Sequence, residues 1–324
     1  MSATNGSVGS IIHEEKDTAK KILIDALVTL RDLTVVFVLA FLRLFLPVKC
    51  KSVRQEIVLV TGAGSGIGRE LAVEFAKLGA TVVLWDINKE TNEGTHDVIR
   101  KVGGKSFPYC CDVGDRAEVY RVAALVKEEV GPVSILVNNA GIVTGKKLLD
   151  CSDDDITKTF QVNLLAQFWT VKCFLPSMME KNHGHVVNIA SSVGLIGLSR
   201  LVDYSSSKFG VVGFSEVLHY ELASSGYDGV HTTVVCPSFV KTGMFQGCKM
   251  RFRWILPELE TTQTVQHIMH GILTNKIQVC IPRIVYFFAF LKTFIPVEAM
   301  LVIQHFFGAV NFMDSFVGRK TKNK

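Results

Sequence analysis

The chain has 324 residues, of which 48% are hydrophobic, and its mean hydropathy is +0.31, a composition that fits one large α/β domain with additional segments at both ends. The net charge of +5 comes from scattered lysines and arginines without a basic stripe among aromatic residues, which argues against nucleic-acid binding. Eight cysteines occur without a Cys-x-x-Cys pair or a Cys/His cluster, so we expect reduced core cysteines and neither a disulfide framework nor a metal site.

The N-terminal 50 residues divide into a polar part and an apolar part. Residues 1–20 are mixed in charge and predict a disordered tail, with no recognisable cleaved secretory signal. Residues 21–50 predict a membrane anchor because the stretch 35–42 is apolar all round. Charged residues interrupt the anchor at Arg31, Asp32 and Arg43. A spanning helix, an interfacial helix and an amphipathic helix packed on the domain therefore remain alternatives. The basic residues that follow favour a cytosolic catalytic domain.

A glycine-rich turn joins the first predicted strand of the domain to the first helix. Residues 61–68 follow the apolar run 56–60 and precede a helical pattern over 69–78. Glycines let the backbone approach a phosphate closely, and the N–H groups at the start of the helix favour an anion. Asp86 ends the next predicted strand, about 20 residues further on, where a dinucleotide site places an acidic residue. The turn therefore predicts a dinucleotide-binding site.

Residues 55–281 alternate short apolar runs with helical patterns, which predicts a doubly wound parallel sheet of the Rossmann type. The predicted strands are residues 56–60, 81–85, 105–110, 133–137, 185–190, 230–236 and 278–281. The predicted helices are residues 69–78, 88–102, one beginning at 115, then 152–176, 204–223 and 261–273. The sequence thus predicts a single catalytic domain between two hydrophobic end segments.

The C-terminal third contains two further apolar stretches. Residues 243–258 mix aromatic and methionine residues with basic ones, which indicates a mobile apolar lid. Residues 282–324 form a second hydrophobic block with a basic tail. Because Lys292 and Pro296 interrupt the block, an interfacial or re-entrant membrane element is favoured over a simple span. Packing against the lid is the competing interpretation.

Three polar residues after the fifth predicted strand suggest alcohol chemistry. Ser191 ends that strand, and Tyr204 and Lys208 stand at i and i+4 of the following helix, so they share one face. An ammonium close to a phenol favours the phenolate, which lets the tyrosine act as a base. A tyrosine of this kind can take the proton from an alcohol while the alcohol carbon gives hydride to a nicotinamide, and Ser191 would hold the substrate oxygen.

The set of motifs resembles the short-chain dehydrogenase/reductase family over roughly residues 55–280. The motifs are Thr61-Gly62-x-x-x-Gly66-x-Gly68, Asn138-Asn139-Ala140-Gly141, Asn163, Ser191 and Tyr204-x-x-x-Lys208. The resemblance implies a catalytic tetrad of Asn163, Ser191, Tyr204 and Lys208. In it, Asn163 would kink its helix and hold a water that relays protons from Lys208. The oligomeric state stays open, although homodimers through two long helices are common in the family.

The resemblance also implies NAD as the cofactor. Asp86 would bind the adenosine ribose hydroxyls and repel a 2′-phosphate, which selects NAD over NADP, and Lys89 would weaken that preference. The implied cofactor-binding residues are Gly62, Ser65, Gly66, Ile67, Gly68, Asp86, Asp112, Val113, Asn139, Tyr204, Lys208, Val240 and Thr242. One position departs from the family pattern: Ser238 follows Pro237 where the family usually has glycine.

The hydrophobic ends and the runs 84–89, 141–147 and 241–245 are similar to the membrane-bound retinol and 17β-hydroxysteroid dehydrogenases of the family. That similarity implies oxidation of all-trans-retinol to retinaldehyde at the endoplasmic reticulum membrane, with the lipid droplet surface as another location. A 17β-hydroxysteroid or other lipid-alcohol dehydrogenase is the first alternative. A lipid-surface scaffold that binds NAD with little turnover is the second.

Overall fold

A parallel sheet forms the centre of the catalytic part of the chain. The computed structural model describes residues 5–42, 45, 48–248, 251–252, 254–255 and 257–318, with side chains from residue 18 onward. The chain divides into two compact units, Met1–Lys49 and Cys50–Lys324. In the described part of the second unit, the strands are β1 (Ile57–Thr61), β2 (Thr81–Asp86), β3 (Lys105–Cys110), β4 (Ile135–Asn138), β5 (Gly184–Ile189), β6 (Val230–Pro237) and β7 (Gln278–Ile281).

The helices follow the strands in alternation, as the sequence predicts. The first unit contains α1 (Asn5–Leu42). In the second unit the helices are α2 (Gly66–Lys77), α3 (Lys89–Lys101), α4 (Arg116–Glu129), α5 (Asp153–Phe160), α6 (Ala166–Glu180), α7 (Val202–Ser224), α8 (Thr261–Leu273), α9 (Ile284–Leu291) and α10 (Val297–Phe307). Side chains cap the N-termini of α3 and α4, because Asn88 accepts a hydrogen bond from the Thr91 amide and Asp115 accepts one from the Ala117 amide.

The strand order is β3-β2-β1-β4-β5-β6-β7, and every pair of neighbours is parallel. Helices cover both faces, so β1 and β4 are built from almost continuous apolar residues. One core packs α2 and α8 against the sheet through Phe75 and Ile268. The core on the other face packs α4 and α6 through Val122 and Phe174. The predicted doubly wound fold is confirmed, and its order reverses between β1 and β4.

One predicted helix boundary was wrong. The helix expected to end near Pro176 is interrupted by a π-helical turn at Gln161–Leu165 and then continues as α6 to Glu180, with Pro176 inside it. Proline removes a backbone donor from a helix interior and usually ends the helix. Here Phe174 and Met178, on either side of Pro176, are fully buried against the sheet. The burial of these two large side chains offsets the local cost of the proline.

The N-terminal unit is a helix over most of its length. α1 spans 38 residues from Asn5, so it includes most of the stretch 1–20 for which the sequence predicts disorder. Residues 11–21 are rich in lysine and glutamate, whose helix propensity outweighs their polarity. None of the helices described between residues 5 and 318 is long and apolar enough to cross a membrane. The anchor over 21–50 remains a prediction, and Arg43 lies outside the described residues.

The C-terminal hydrophobic block forms two short helices rather than one. Pro296 precedes α10, and Gly308, in the left-handed region with φ 70°, ends it. The ring of Phe252 lies 5.0 Å from that of Phe306 and 5.9 Å from that of Phe307, which supports the alternative of packing against the 243–258 segment. The lid residues 249, 250, 253 and 256 and the basic tail beyond 318 lie outside the described residues.

A buried polar cluster lies where β5 and β6 begin, at the opposite end of these strands from Ser191. The Lys51 ammonium donates to Nδ1 of His185 at 2.7 Å, so Nε2 of His185 carries the proton and donates to the Thr233 hydroxyl at 2.8 Å. Burial lowers the pKa of His185 well below its usual value, and the charges of Lys51 and His231 act in the same direction. Burial also lowers the pKa of Lys51 to about 8, opposed by Glu56.

Candidate active site

The glycine turn has the backbone that a phosphate-binding loop requires. Gly62 and Gly66 lie in the left-handed region, with φ of 66° and 57°, where other residues are strained. A side chain at Gly68 would overlap the Gly62 carbonyl oxygen and the Asn139 amide, so α2 passes close beneath the turn only because residue 68 is glycine. The first N–H groups of α2 are thereby held at the carboxyl end of β1.

Asn139 links the two strands at which the sheet order reverses. Its side-chain amide donates to the Thr61 carbonyl at 2.9 Å, and its backbone N–H donates to the Thr61 hydroxyl at 3.0 Å. The Ala140 N–H donates to the same hydroxyl at 3.1 Å. These bonds hold the start of the 139–147 segment against the glycine turn. Ligands of doubly wound sheets bind at this reversal point.

Asp86 is fixed by two backbone donors at the far end of the same cleft. Its Oδ2 accepts from the Gly64 N–H and its Oδ1 accepts from the Asn88 N–H, both at 2.8 Å. The orientation of the carboxylate is therefore set by two neutral backbone donors. Beside it, Asp112 accepts from the Gly114 N–H at 2.8 Å and pairs with Lys158 at 2.8 Å. The structure places both acids and Val113 in one cleft.

The other residues predicted to bind cofactor line this cleft as well, except Gly68, which lies under the turn. The set in the cleft comprises Gly62, Ser65, Gly66, Ile67, Asn139, Tyr204, Lys208, Val240 and Thr242. Val240 is buried and pairs with Leu259 in a short bridge. Thr242 stands against Gly66, where a side chain would come within 3.1 Å of its Cβ. The shape of the cleft thus depends on the absence of a side chain at residue 66.

The four predicted catalytic residues converge at the carboxyl ends of β4 and β5. Tyr204, Lys208, Ser191 and Asn163 are all buried. Lys208 Nζ lies 5.7 Å from the centre of the Tyr204 ring and donates to the Ile189 carbonyl at 2.8 Å. Ser191 begins a turn after β5, donates to the Pro237 carbonyl at 3.4 Å and lies close enough to the Tyr204 hydroxyl to affect its pKa. The serine and the lysine therefore approach the tyrosine from β5 and from its own helix.

Burial dominates the proton affinities of this group. It raises the pKa of Tyr204 to about 12, and the nearby Ser191 hydroxyl acts in the opposite direction. Burial also lowers the pKa of Lys208 to about 8, with a small opposing effect of Cys236. The expectation that Lys208 lowers the pKa of Tyr204 is therefore not met in the protein alone, because both groups lose hydration. The ammonium remains the predominant form of Lys208 at neutral pH.

Asn163 occupies the π-helical turn, as the resemblance implies for a kinked helix. Its Oδ1 accepts from the Ile142 N–H at 2.8 Å, and its Nδ2 donates to the Ile142 carbonyl and the Ser207 hydroxyl, both at 3.0 Å. A side chain at Gly141 would contact both Asn163 Oδ1 and Lys208 Nζ, at 3.4 and 3.6 Å. Asn163 and Lys208 therefore both lie close to Gly141.

A second, largely apolar cavity adjoins the dinucleotide cleft. The two share Ser191, Ser238 and Phe245, and the Phe245 ring stands edge-on to the Tyr204 ring at 5.8 Å. The far wall comes from α9 and α10, through Val285, Phe288, Met300, Ile303, Gln304 and Phe307. These residues were not predicted from the sequence to belong to the site. Their only signal is apolar spacing, which a membrane segment would also show.

Ser238 connects the two cavities at the end of β6. Its N–H donates to the Ile281 carbonyl at 2.7 Å, which continues the pairing of β6 with β7. The backbone here therefore accommodates serine at the position where the family usually has glycine. Throughout the described part of the chain, the eight cysteines are free thiols and no group of His, Cys, Asp or Glu could hold a metal ion.

Comparisons with known proteins agree with this geometry. A family profile described as short chain dehydrogenase matches residues 56–250. The chain belongs to the short-chain dehydrogenase family. This membership confirms the prediction of an NAD-dependent alcohol dehydrogenase from the sequence. A solved short-chain dehydrogenase/reductase from Burkholderia phymatum, in complex with NAD, superposes with a TM-score of 0.68 at 26% identity and covers 78% of this chain and 96% of its own.

Within the family the chain is similar to retinol dehydrogenases. It is 50% identical to epidermal retinol dehydrogenase 2 of Homo sapiens over 278 residues, which are 86% of this chain and 90% of that protein. The mouse protein of the same name is 48% identical over 273 residues, 84% of this chain and 88% of the relative. Retinol dehydrogenase 10 of Homo sapiens is 44% identical over 311 residues, 88% and 91% of the two chains. The predicted resemblance to the retinol dehydrogenase group is confirmed.

Proposed function

We propose that this short-chain dehydrogenase oxidises all-trans-retinol to all-trans-retinaldehyde with NAD, and that Tyr204 is the general base. The observation that carries the proposal is the position of the Tyr204 hydroxyl. It lies beside Ser191, where the dinucleotide cleft meets the apolar cavity formed with α9 and α10. An alcohol with a long apolar body can place its hydroxyl at this junction and its hydrocarbon in the cavity.

The residues of the chain account for the proton half of the reaction. Ser191 donates a hydrogen bond that holds the alcohol oxygen, and Tyr204 takes the alcohol proton. A dinucleotide held by the residues of the cleft would supply the acceptor for the hydride from the alcohol carbon. The Lys208 ammonium lies near the Tyr204 ring, where a positive charge favours the phenolate against the larger opposing effect of burial. Asn163 fixes the turn beside Lys208.

Retinol is favoured as substrate because the relatives named above are retinol dehydrogenases and because the cavity wall is mostly aromatic and aliphatic. A 17β-hydroxysteroid is the second candidate, and one observation favours it. Gln304 places an amide in the otherwise apolar wall contributed by α10, and this amide donates to the Gly197 carbonyl at 3.0 Å. An amide there could also bind a polar group at the far end of a lipid alcohol.

The proposed enzyme works at a membrane surface. α9, α10 and the loop between them expose large apolar side chains that have no structural role in the core, among them Phe290 at 64%, Phe294 at 71% and Val297 at 82%. We place the protein at the endoplasmic reticulum membrane with its catalytic domain in the cytosol, with the lipid droplet surface as an alternative site. Protection of the domain from protease in sealed microsomes would contradict the cytosolic orientation.

Homodimerisation is a further part of the proposal. α6 and α7 expose Phe168, Val217 and Tyr220, which would lie in an interface formed by these two helices. Cross-linking of the detergent-solubilised protein tests it: a cross-linked species of twice the monomer mass is expected, and a monomer alone would contradict it.

The test of the proposed reaction uses microsomes that contain the full chain. Retinol is supplied with NAD or with NADP, and retinaldehyde is measured. We expect product with NAD and a loss on the order of 10³-fold in kcat for Tyr204→Phe, because the phenol ring stays while its proton-accepting oxygen is lost. NAD binding by the variant should be preserved. Turnover near the wild-type rate in Tyr204→Phe would refute the assignment of Tyr204 as the base. A higher kcat/KM on 17β-hydroxysteroids than on retinol would show that a steroid, and not retinol, is the preferred substrate.

The scaffold alternative has a separate outcome. A Tyr204→Phe protein that binds NAD, lacks turnover and still produces every cellular effect of the wild type would identify a lipid-surface scaffold. Loss of those effects together with turnover would support the enzyme.

A further inference from the structure

Two pairs of side chains lie next to each other on the first two turns of α7. Tyr204 and Lys208 form one i, i+4 pair, which faces the cleft. Asp203 and Ser207, each one residue earlier, form the other, and both side chains are buried. In an α-helix such pairs occupy adjacent stripes. The Asp203–Ser207 stripe therefore contacts the elements that border the reactive stripe.

Asp203 binds two hydroxyl groups from two different elements. Its Oδ2 accepts a hydrogen bond from the Thr144 hydroxyl at 2.6 Å and another from the Thr159 hydroxyl at 3.0 Å. Thr144 belongs to the segment after β4 that borders the cleft, and Thr159 is fully buried in α5, one turn before Asn163. Hydrogen bonds to a carboxylate are stronger than bonds between neutral groups. One carboxylate oxygen thus joins three elements at the residue next to Tyr204.

A second junction lies one turn further along α7. Ser207 accepts from Asn163 Nδ2 at 3.0 Å and donates to the Tyr204 carbonyl at 2.7 Å, while Asn163 binds both backbone groups of Ile142. The segment carrying Ile142 and Thr144 is therefore tied to α7 at two successive levels. The upper level depends on Asp203 and the lower one on Asn163.

A contribution to stability does not by itself explain why an aspartate occupies this buried position. The other oxygen of Asp203, Oδ1, is buried and has no hydrogen-bond partner among the described residues. Burying a charged group with an unsatisfied oxygen is costly, and an apolar side chain at the same place would avoid the cost. Residues retained against such a cost are frequently found at functional sites.

We propose that Asp203 is a positioning residue for the dehydrogenase reaction, which holds the first turn of α7 against the 139–147 segment and so fixes Tyr204 relative to Ser191 and Lys208. The proposal rests on the function proposed above for Tyr204. Asp203 touches neither substrate nor cofactor in this role. It acts through the orientation of the tyrosine, and Thr144 and Thr159 are its partners.

The test compares variants that keep the hydrogen bonds of Asp203 with variants that remove them. In microsomes containing the full chain, Asp203→Ala and Thr144→Val remove bonds, while Asp203→Asn and Thr144→Ser keep an acceptor or a donor in place. Displacement of a catalytic group by about 1 Å costs on the order of 10²-fold in rate. We therefore expect kcat to fall on the order of 10–10²-fold in Asp203→Ala and less in Thr144→Val, with KM for NAD unchanged.

The pH profile distinguishes positioning from a general loss of structure. A tyrosine moved away from Ser191 and Lys208 loses groups that favour its phenolate, so the acid limb of kcat/KM should move to higher pH in Asp203→Ala. Asp203→Asn and Thr144→Ser should keep kcat and the acid limb of kcat/KM close to those of the wild type. An unchanged limb with a smaller amount of active protein would indicate a structural role only and would overturn the proposal, as would wild-type kcat in both Asp203→Ala and Thr144→Val.

Failure of the proposed substrate is separable from failure of this inference. If the wild type oxidises another alcohol but not retinol, the same comparison on that alcohol still tests Asp203. If it oxidises none, hydrogen exchange supplies the readout. Faster exchange of the amides in 139–147 in Thr144→Val than in Thr144→Ser supports the tie between that segment and α7, and equal exchange overturns it.

Discussion

The choice between NAD and NADP should depend on the carboxylate of Asp86. Two backbone N–H groups, from Gly64 and Asn88, hold its two oxygens at 2.8 Å and so orient the charge toward the cleft. A bound adenosine ribose would donate its hydroxyl protons to this carboxylate, whereas a 2′-phosphate would place a second negative charge against it. The perturbation that tests this role is Asp86→Asn, which removes the charge at almost constant volume.

The expected magnitude follows from these contacts. A hydrogen bond to a charged group contributes about 1.5–3 kcal/mol and one between neutral groups about 0.5–1.5 kcal/mol, so each ribose bond weakens by about 1 kcal/mol. The asparagine NH₂ group would also face one of the two backbone donors, Gly64 N–H or Asn88 N–H, and leave it unsatisfied. Repulsion of a phosphate at about 5 Å is on the order of 1–3 kcal/mol at the effective dielectric constants of protein surfaces.

Together these effects amount to about 3 kcal/mol, or on the order of 10²-fold in the ratio of kcat/KM for NAD to that for NADP. The assay is the initial rate of alcohol oxidation with each dinucleotide. Glu90→Gln is the matched control, since it also removes one negative charge near the start of α3 but lies exposed, and it should change the ratio by less than about twofold. A wild-type preference for NADP, or an unchanged ratio in Asp86→Asn, would refute the reasoning.

Two further changes have defined outcomes. Gly68→Ala should weaken NAD binding by at least about tenfold, because the new methyl group overlaps the Gly62 carbonyl and forces the turn apart. Calorimetric titration with NAD measures the affinity. An unchanged affinity would contradict the close approach of residue 68 to the Gly62 carbonyl. Because burial depresses the pKa of His185 below its usual 6.5, the unfolded chain binds the extra proton, and stability falls as pH falls through 6.5. His185 lowers the free energy of unfolding by about 1 kcal/mol between pH 6.5 and 5.5. This loss should be absent from the pH dependence of the unfolding midpoint in His185→Asn. It should persist in His183→Asn, which replaces an exposed histidine.

The elements that carry the chemistry were predictable because their signals are local. Gly62 and Gly66 need left-handed backbone, a requirement that glycine alone meets without strain, and their spacing is visible in the sequence. Tyr204 and Lys208 share a helix, so the distance between them follows from helical geometry. For the same reason the strands at 105–110 and 278–281 were predicted with their observed bounds.

The remainder depends on contacts between distant parts of the chain. No local signal shows that Thr144 and Thr159 share one oxygen of Asp203, because three separate elements must first be folded together. The apolar block after residue 282 has the same composition whether it faces lipid or lines a cavity, so Phe288 and Phe307 were not recognised as cavity residues. The rise in the pKa of Tyr204 also depends on tertiary burial, which the i, i+4 spacing does not reveal.

Ile281, which accepts a hydrogen bond from the Ser238 N–H, separates two parts of the chain that have different roles. Every residue predicted to bind the dinucleotide or to perform proton transfer precedes Ile281 in sequence, whereas α9 and α10, which line the far side of the apolar cavity, follow it. Exchange of the segment after Ile281 between relatives would therefore alter which alcohol is accepted while the redox machinery stays constant. In such a protein, substitutions in a short C-terminal segment can change the range of substrates while the residues that bind the cofactor stay the same.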